Sequence, residues 1–158
     1  MSVDPSQFRA LLSRFASSVT VVSARDESGA DRGMTVSAFS SVSLEPPLVL
    51  MCVDRSATLH ELLLRTDMVG VSVLARAQEW VSRHFATRER HEWEGVPQRR
   101  GACGVPLVDG AIAHLECRVV ARHPAGDHTI VVAQVERGDV AEGDPLLYFR
   151  GEYAGLRR

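Results

Sequence analysis

Two stretches of this 158-residue chain carry side chains suited to holding a ligand. The first runs Gly33-Met34-Thr35-Val36-Ser37-Ala38-Phe39-Ser40-Ser41-Val42-Ser43, small polar residues alternating with apolar ones behind a leading glycine. Short side chains let a flat molecule approach the backbone, whose N–H groups can donate to ring oxygens and nitrogens. Thr and Ser hydroxyls can add bonds to a polyol chain or a phosphate. The same composition also describes a strand with a solvated Ser/Thr face. The second stretch is Asp54-Arg55-Ser56-Ala57-Thr58, between an apolar strand and an expected helix start. Backbone donors, two hydroxyls and a guanidinium would meet there at the positive end of a helix dipole, a phosphate cradle. Ser56 acting only as the helix N-cap accounts for the same residues.

Missing residue types narrow the chemistry. All 18 basic residues are arginine. That removes a P-loop lysine, a Schiff-base lysine and a lysine general base, so an anion must be held by Arg, hydroxyls or main-chain N–H groups. No Gly-x-Gly-x-x-Gly follows a strand and no Gly-x-Ser-x-Gly occurs. His60-Glu61 and His91-Glu92 begin like a zinc-protease helix, but Leu64 and Gly95 stand where the second histidine belongs. No metal is expected, and His60, His91, His114 and His123 read as surface or packing residues. Cys52, Cys103 and Cys117 lack Cys-x-x-Cys spacing, and Cys52 and Cys117 sit in core-like patterns. A net charge of −2 argues against nucleic acid. The longest apolar run, Leu48 to Val53, is too short for a membrane span, and the N-terminus has no signal-peptide pattern, so a cytoplasmic location is expected.

The elements that must position these residues are legible by pattern. Asp4-Pro5-Ser6-Gln7 starts a helix whose Phe8, Leu11, Leu12 and Phe15 share one face. A strand is expected from Val19 to Ala24, an extended segment from Gly33 to Ser43, and a buried strand from Leu48 to Val53. A helix capped by Ser56 should run to about Arg65, followed by a strand from Met68 to Leu74. Ala77, Trp80, Val81, His84 and Phe85 mark a second helix ending near Arg88. The stretch from His91 to Val105 shows no periodicity. Alternation then predicts a hairpin around Pro124-Ala125-Gly126-Asp127 and a last strand from Leu146 to Tyr153. Grouped, hairpin-linked strands with few helices predict one mainly β, antiparallel barrel domain over residues 1–158.

Several segments in order resemble the flavin reductase-like family of FMN-binding split barrels, the reductase components of two-component flavin-dependent monooxygenases. They are residues 15–22, 33–43, 46–50, Arg83-His84-Phe85-Ala86, Leu115-Glu116-Cys117, Gly126-Asp127-His128 and residues 146–153. The resemblance implies an antiparallel Greek-key split β-barrel, a homodimer with flavin near the subunit interface, and NADH or NADPH as co-substrate. It implies that Thr35, Val36, Ser37, Ala38, Ser40 and Ser41 lie along the isoalloxazine and ribityl of FMN or FAD. Asp54, Arg55, Ser56, Ala57 and Thr58 would meet its phosphate, with Arg83 and Phe85 closing over it. His128, with Asp127, would contact the nicotinamide nucleotide as a positioning group rather than an acid or base. The expected activity is hydride transfer from NAD(P)H to flavin, supplying a separate monooxygenase. A non-catalytic flavin carrier is the other reading, and the intact Gly126-Asp127-His128 turn favours the enzyme.

Overall fold

The computed structural model describes residues 1–87 and 92–158. The expected helix end near Arg88, His91 and the start of the aperiodic stretch lie outside the described residues. The first half contains α1 (Pro5–Leu12), β1 (Ser17–Ser18), β2 (Thr20–Arg25), β3 (Asp31–Val36), β4 (Phe39–Ser43) and β5 (Leu48–Asp54). Next come α2 (His60–Leu63), β6 (Met68–Val73) and α3 (Glu79–Ala86), the last entered through a 3₁₀ turn at Arg76–Gln78. The remainder is β7 (Gln98–Arg100), β8 (Pro106–Val108), β9 (Ala113–Ala125), β10 (His128–Val140), β11 (Leu147–Phe149) and β12 (Glu152–Ala154).

Seven strands form one antiparallel sheet in the order β3-β2-β6-β9-β10-β5-β4. Its two outermost strands, β3 and β4, are separated by only Ser37 and Ala38. Two edges joined by so short a link must lie close together, so the sheet curls into a barrel left unpaired along that seam. The expected continuous extended segment from Gly33 to Ser43 is therefore two strands on opposite edges.

The barrel interior holds Val22, Ala24, Val49, Met51, Val53, Val69, Val71, Cys117 and Val131, and Leu59, Leu62 and Leu63 around α2 complete it. Val21 on the other face of β2, with Val19 just before the strand, packs against Leu74, Val81, Phe85, Trp93 and Val108. This explains why β2 is buried at every position but its last. Each such Val or Leu, fully buried, contributes about 1.5–3 kcal/mol. β5 differs from the expectation of burial on both faces. Val49, Met51 and Val53 are buried, while Leu48, Leu50 and Cys52 are only half covered.

Three other boundaries depart from the pattern-based reading. Ser56 does not cap a helix: its N–H and hydroxyl both bond Asp54 Oδ1, at 2.7 and 2.8 Å. Both groups are drawn back into a turn closed by Asp54, and α2 starts only at His60. Residues 98–100, inside the stretch read as aperiodic, pair as a small hairpin with residues 106–108 just beyond it. Its ties come from elsewhere in the fold: Arg100 bonds Asp31 at 2.7 Å, and buried Glu116 accepts the Cys103 N–H at 2.7 Å. Residues 146–153 form two short strands around a turn at Arg150, which adopts φ 54°.

Gly70 shows how closely β6 approaches β2 and β8. A Cβ there would lie 2.6 Å from Ser23 Oγ and 2.9 Å from the Pro106 carbonyl. Ser23 Oγ itself donates to that carbonyl at 2.5 Å. Gly70→Ala is expected to destabilise the fold by about 2 kcal/mol, read as a lower urea midpoint. An unchanged midpoint would contradict this packing.

Among the thiols, burial pushes Cys117 up to about 12, with the carboxylates of Glu116 and Glu136 adding to it. Cys103 is exposed and Cys52 half-buried. At pH 8, Cys103 should react first with a disulfide reagent and Cys117 only after denaturation. Mass mapping of the modified peptides would reveal any other order. The unfolded Cys117 thiol ionises near its ordinary value while the native one stays protonated. Its contribution therefore lowers stability as pH rises past about 9.

Candidate functional site

β3, the turn before α2 and the end of α3 converge on one pocket. Gly33, Met34 and Thr35 form one wall, Ala57, Thr58 and Leu59 the second, and Phe85, Ala86 and Thr87 the third. None of these nine residues is acidic, and most are small. Such a lining suits a flat, partly apolar molecule carrying a negative group.

The fold fixes each wall. Among the described residues, the outermost strand β3 pairs with β2 and, through one bridge, Arg32 with Glu92, and its Gly33, Met34 and Thr35 line the pocket. Gly33 lets α3 lie close: a Cβ there would sit 3.0 Å from the Phe85 ring and 3.3 Å from Trp93 Nε1. Thr35 Oγ1 donates to the Ser82 carbonyl at 2.6 Å, fastening α3 to β3. From behind, Ser82 Oγ and the Tyr153 hydroxyl are bonded at 2.7 Å. Phe85 stacks at a tilt on Trp93, with ring centroids 5.1 Å apart, and His84 Nε2 donates to the Glu92 carbonyl at 2.7 Å.

The second wall joins the hairpin that carries His128. β5 and β10 pair so that Asp54 stands opposite His128. The Arg55 N–H donates to the Asp127 carbonyl at 2.9 Å. Gly126 and Asp127 make the two-residue loop between β9 and β10, and Gly126 takes φ 63°, the conformation that a glycine-first hairpin turn requires. His128 Nδ1 lies 2.7 Å from Asp127 Oδ1, with the side chain 41% exposed.

The structure thus brings together Thr35, Ala57, Thr58 and Phe85, and ties Asp54, Arg55 and Ser56 to Asp127 and His128. Other expected site residues stand differently. The Val36 side chain is 4% exposed and belongs to the core, and its carbonyl accepts the Thr20 hydroxyl at 2.6 Å. Ser37 and Ala38 are exposed at the seam, and their carbonyls accept the N–H groups of Phe39 and Cys52. Ser40 and Ser41 are exposed on β4, outside this pocket. Arg83 is not among the lining residues. Glu79, one turn earlier, holds its guanidinium at 2.7 Å, and the Tyr153 ring lies 4.9 Å away. The helix-dipole argument for residues 54–58 also weakens, since α2 is a single turn whose N-cap, Leu59, makes no side-chain bond.

Sequence reading missed the Phe85–Trp93 stack, the Ser82–Tyr153 bond and the bond between His60 and Thr129. Only the helical stripe through Phe85 signalled any of these.

Residues 12–157 match the model of the flavin reductase like domain. The chain belongs to the flavin reductase-like family. As a member, it is a nicotinamide-dependent flavin reductase. It is 44% identical to an NADH-dependent flavin reductase from Rhodococcus, over 98% of this chain and 88% of that one. It is 46% identical to the reductase component of 4-hydroxyphenylacetate 3-monooxygenase from Thermus thermophilus, covering 94% and 95%. An NADH:FAD oxidoreductase of Streptomyces globisporus, solved with NAD and FAD fragments, superposes on this flavin reductase with a TM-score of 0.92. The two are 36% identical, over 99% of this chain and 97% of that one.

Proposed function

We propose that this flavin reductase binds FMN or FAD in the pocket between β3, the 54–59 turn and α3, with NADH lying against it from the His128 side. The observation that carries this is the convergence of three walls without a carboxylate, joined to the Gly126–His128 hairpin. Bound flavin supplies the redox chemistry, accepting a hydride from the dihydronicotinamide. The protein's own residues bind and orient. Met34 and Phe85 offer apolar contact, and β3 offers main-chain groups. Asp127 accepts the Nδ1–H of His128, which fixes the ring and leaves Nε2 to meet the carboxamide of the nicotinamide.

Arg55 is exposed beside the pocket turn and, with no lysine in the chain, is the cation proposed to meet phosphate. Arg55→Ala should raise the KM for FMN about fivefold relative to riboflavin, which lacks the phosphate. An unchanged FMN-to-riboflavin ratio removes Arg55 from the site. The activity itself is tested by anaerobic bleaching of added flavin. NADH should bleach it in the presence of the protein, and bleaching by dithionite alone would instead leave a flavin carrier.

The active form is proposed to be a homodimer. Every residue of α1 is exposed in the single chain, with Phe8 at 55% and Leu11 at 56%. An eight-residue helix that buries nothing has little reason to form alone, so its apolar face calls for a second copy. The relatives named as monooxygenase components support release of reduced flavin to a separate oxygenase. Among the described residues no helix is long and apolar enough to cross a membrane. The three free thiols fit the cytoplasm.

A further inference from the structure

His60 opens α2 directly behind the proposed phosphate turn, and its ring is 6% exposed. Its Nε2 is hydrogen-bonded to Thr129 Oγ1 at 2.8 Å. Thr129, itself 5% exposed, follows His128 on β10. The Nδ1 atom of the same ring is buried without a hydrogen-bond partner. A residue kept here for packing alone would be better served by an apolar side chain, since an unmatched buried nitrogen is costly.

Beyond the Asp54–His128 pair of the β5–β10 ladder, two bonds, one from Arg55 and one from His60, reach the hairpin. One is main-chain, from the Arg55 N–H to the Asp127 carbonyl, and almost any sequence could make it. The other, His60 to Thr129, depends on side-chain identity. Successive residues of a strand face opposite ways, so Thr129 turns into the fold where His128 turns out. Their exposure agrees, buried against 41% for the His128 side chain. A shift of the turn on engaging an anion is therefore passed through the His60 ring to the residue that sets the position of His128.

We propose that His60 and Thr129 are positioning residues that couple phosphate at the 54–58 turn to nicotinamide binding at His128. The proposal rests on the flavin site described above. It predicts that a flavin with a phosphate tightens NADH more than one without, through a bond that touches neither ligand.

The test measures the KM for NADH with FMN and with riboflavin. In the parent, the riboflavin value should exceed the FMN value about fivefold. Thr129→Val, nearly isosteric, should bring that ratio close to one, and Thr129→Ser, which keeps the hydroxyl, should restore it. His60→Phe should act like Thr129→Val, His60→Gln should retain part of the ratio, and the double variant H60F/T129V should add nothing to T129V. A parent ratio near one, or a ratio that survives in T129V, overturns the coupling. Failure of the phosphate site itself is read separately, as equal KM values for FMN and riboflavin, and overturns both.

Discussion

Replacing His128 with alanine should raise the KM for NADH about tenfold or more while moving the KM for flavin by less than about twofold. The split follows from placement. His128 stands across the β5–β10 ladder from Asp54 and is held by Asp127 rather than by any lining residue of the pocket. Losing it removes a contact to the nicotinamide and leaves all three walls intact. Asp127→Asn should show a smaller increase, about threefold, because the ring remains but the bond that fixes it is weakened. Steady-state kinetics with each substrate varied at saturation of the other gives the answer. Equal losses for both substrates would mean that the hairpin merely supports the pocket, and no loss would take His128 out of the reaction.

The second large effect is expected on assembly. The double substitution Phe8→Asp and Leu11→Asp should turn a micromolar solution of dimer into monomer. Each side chain offers about 2 kcal/mol when buried, a homodimer carries each substitution twice, and about 1.4 kcal/mol is a factor of ten in Kd, so association should weaken by about five powers of ten. Sedimentation velocity would register the change directly. Circular dichroism should also show a loss of helix, since α1 would have nothing to pack against. A parent protein already monomeric at that concentration would refute the dimer, and a mutant still dimeric would place its interface elsewhere.

Much of this arrangement was legible in the residues because the relevant signals are local. Asp4 and Pro5 mark the start of α1 in the sequence, and the Asp4 carboxylate does accept the Gln7 N–H at 2.9 Å. Gly126 and Asp127 mark the hairpin, and the alternation through Leu115, Cys117 and Val119 marks its buried face. Of the three walls, Thr35, Ala57, Thr58 and Phe85 were within reach because residue types and resemblance single out their segments. What escaped the reading was either a close local contest or a contact between distant parts of the chain. Whether Ser56 capped a helix or bonded Asp54 was a contest between two local options of similar strength. That Arg83 would lie on Tyr153 required a strand 70 residues away in sequence. Nothing in the spacing around Ser37 and Ala38 showed that β3 and β4 occupy opposite borders of one sheet. The burial of His60 likewise depends on β10 arriving beside it.

The seam has one more implication. Among the described residues, the outer border of β3 is bridged at Arg32 alone, next to the hollow where the cofactor is proposed to sit. Borders of this kind recruit strands from other molecules, the first step toward clumping. A bound isoalloxazine would then do more than carry electrons: it would shield a sticky border. The protein stripped of its pigment should be the form most prone to fall out of solution, and topping up with free flavin should protect it on storage.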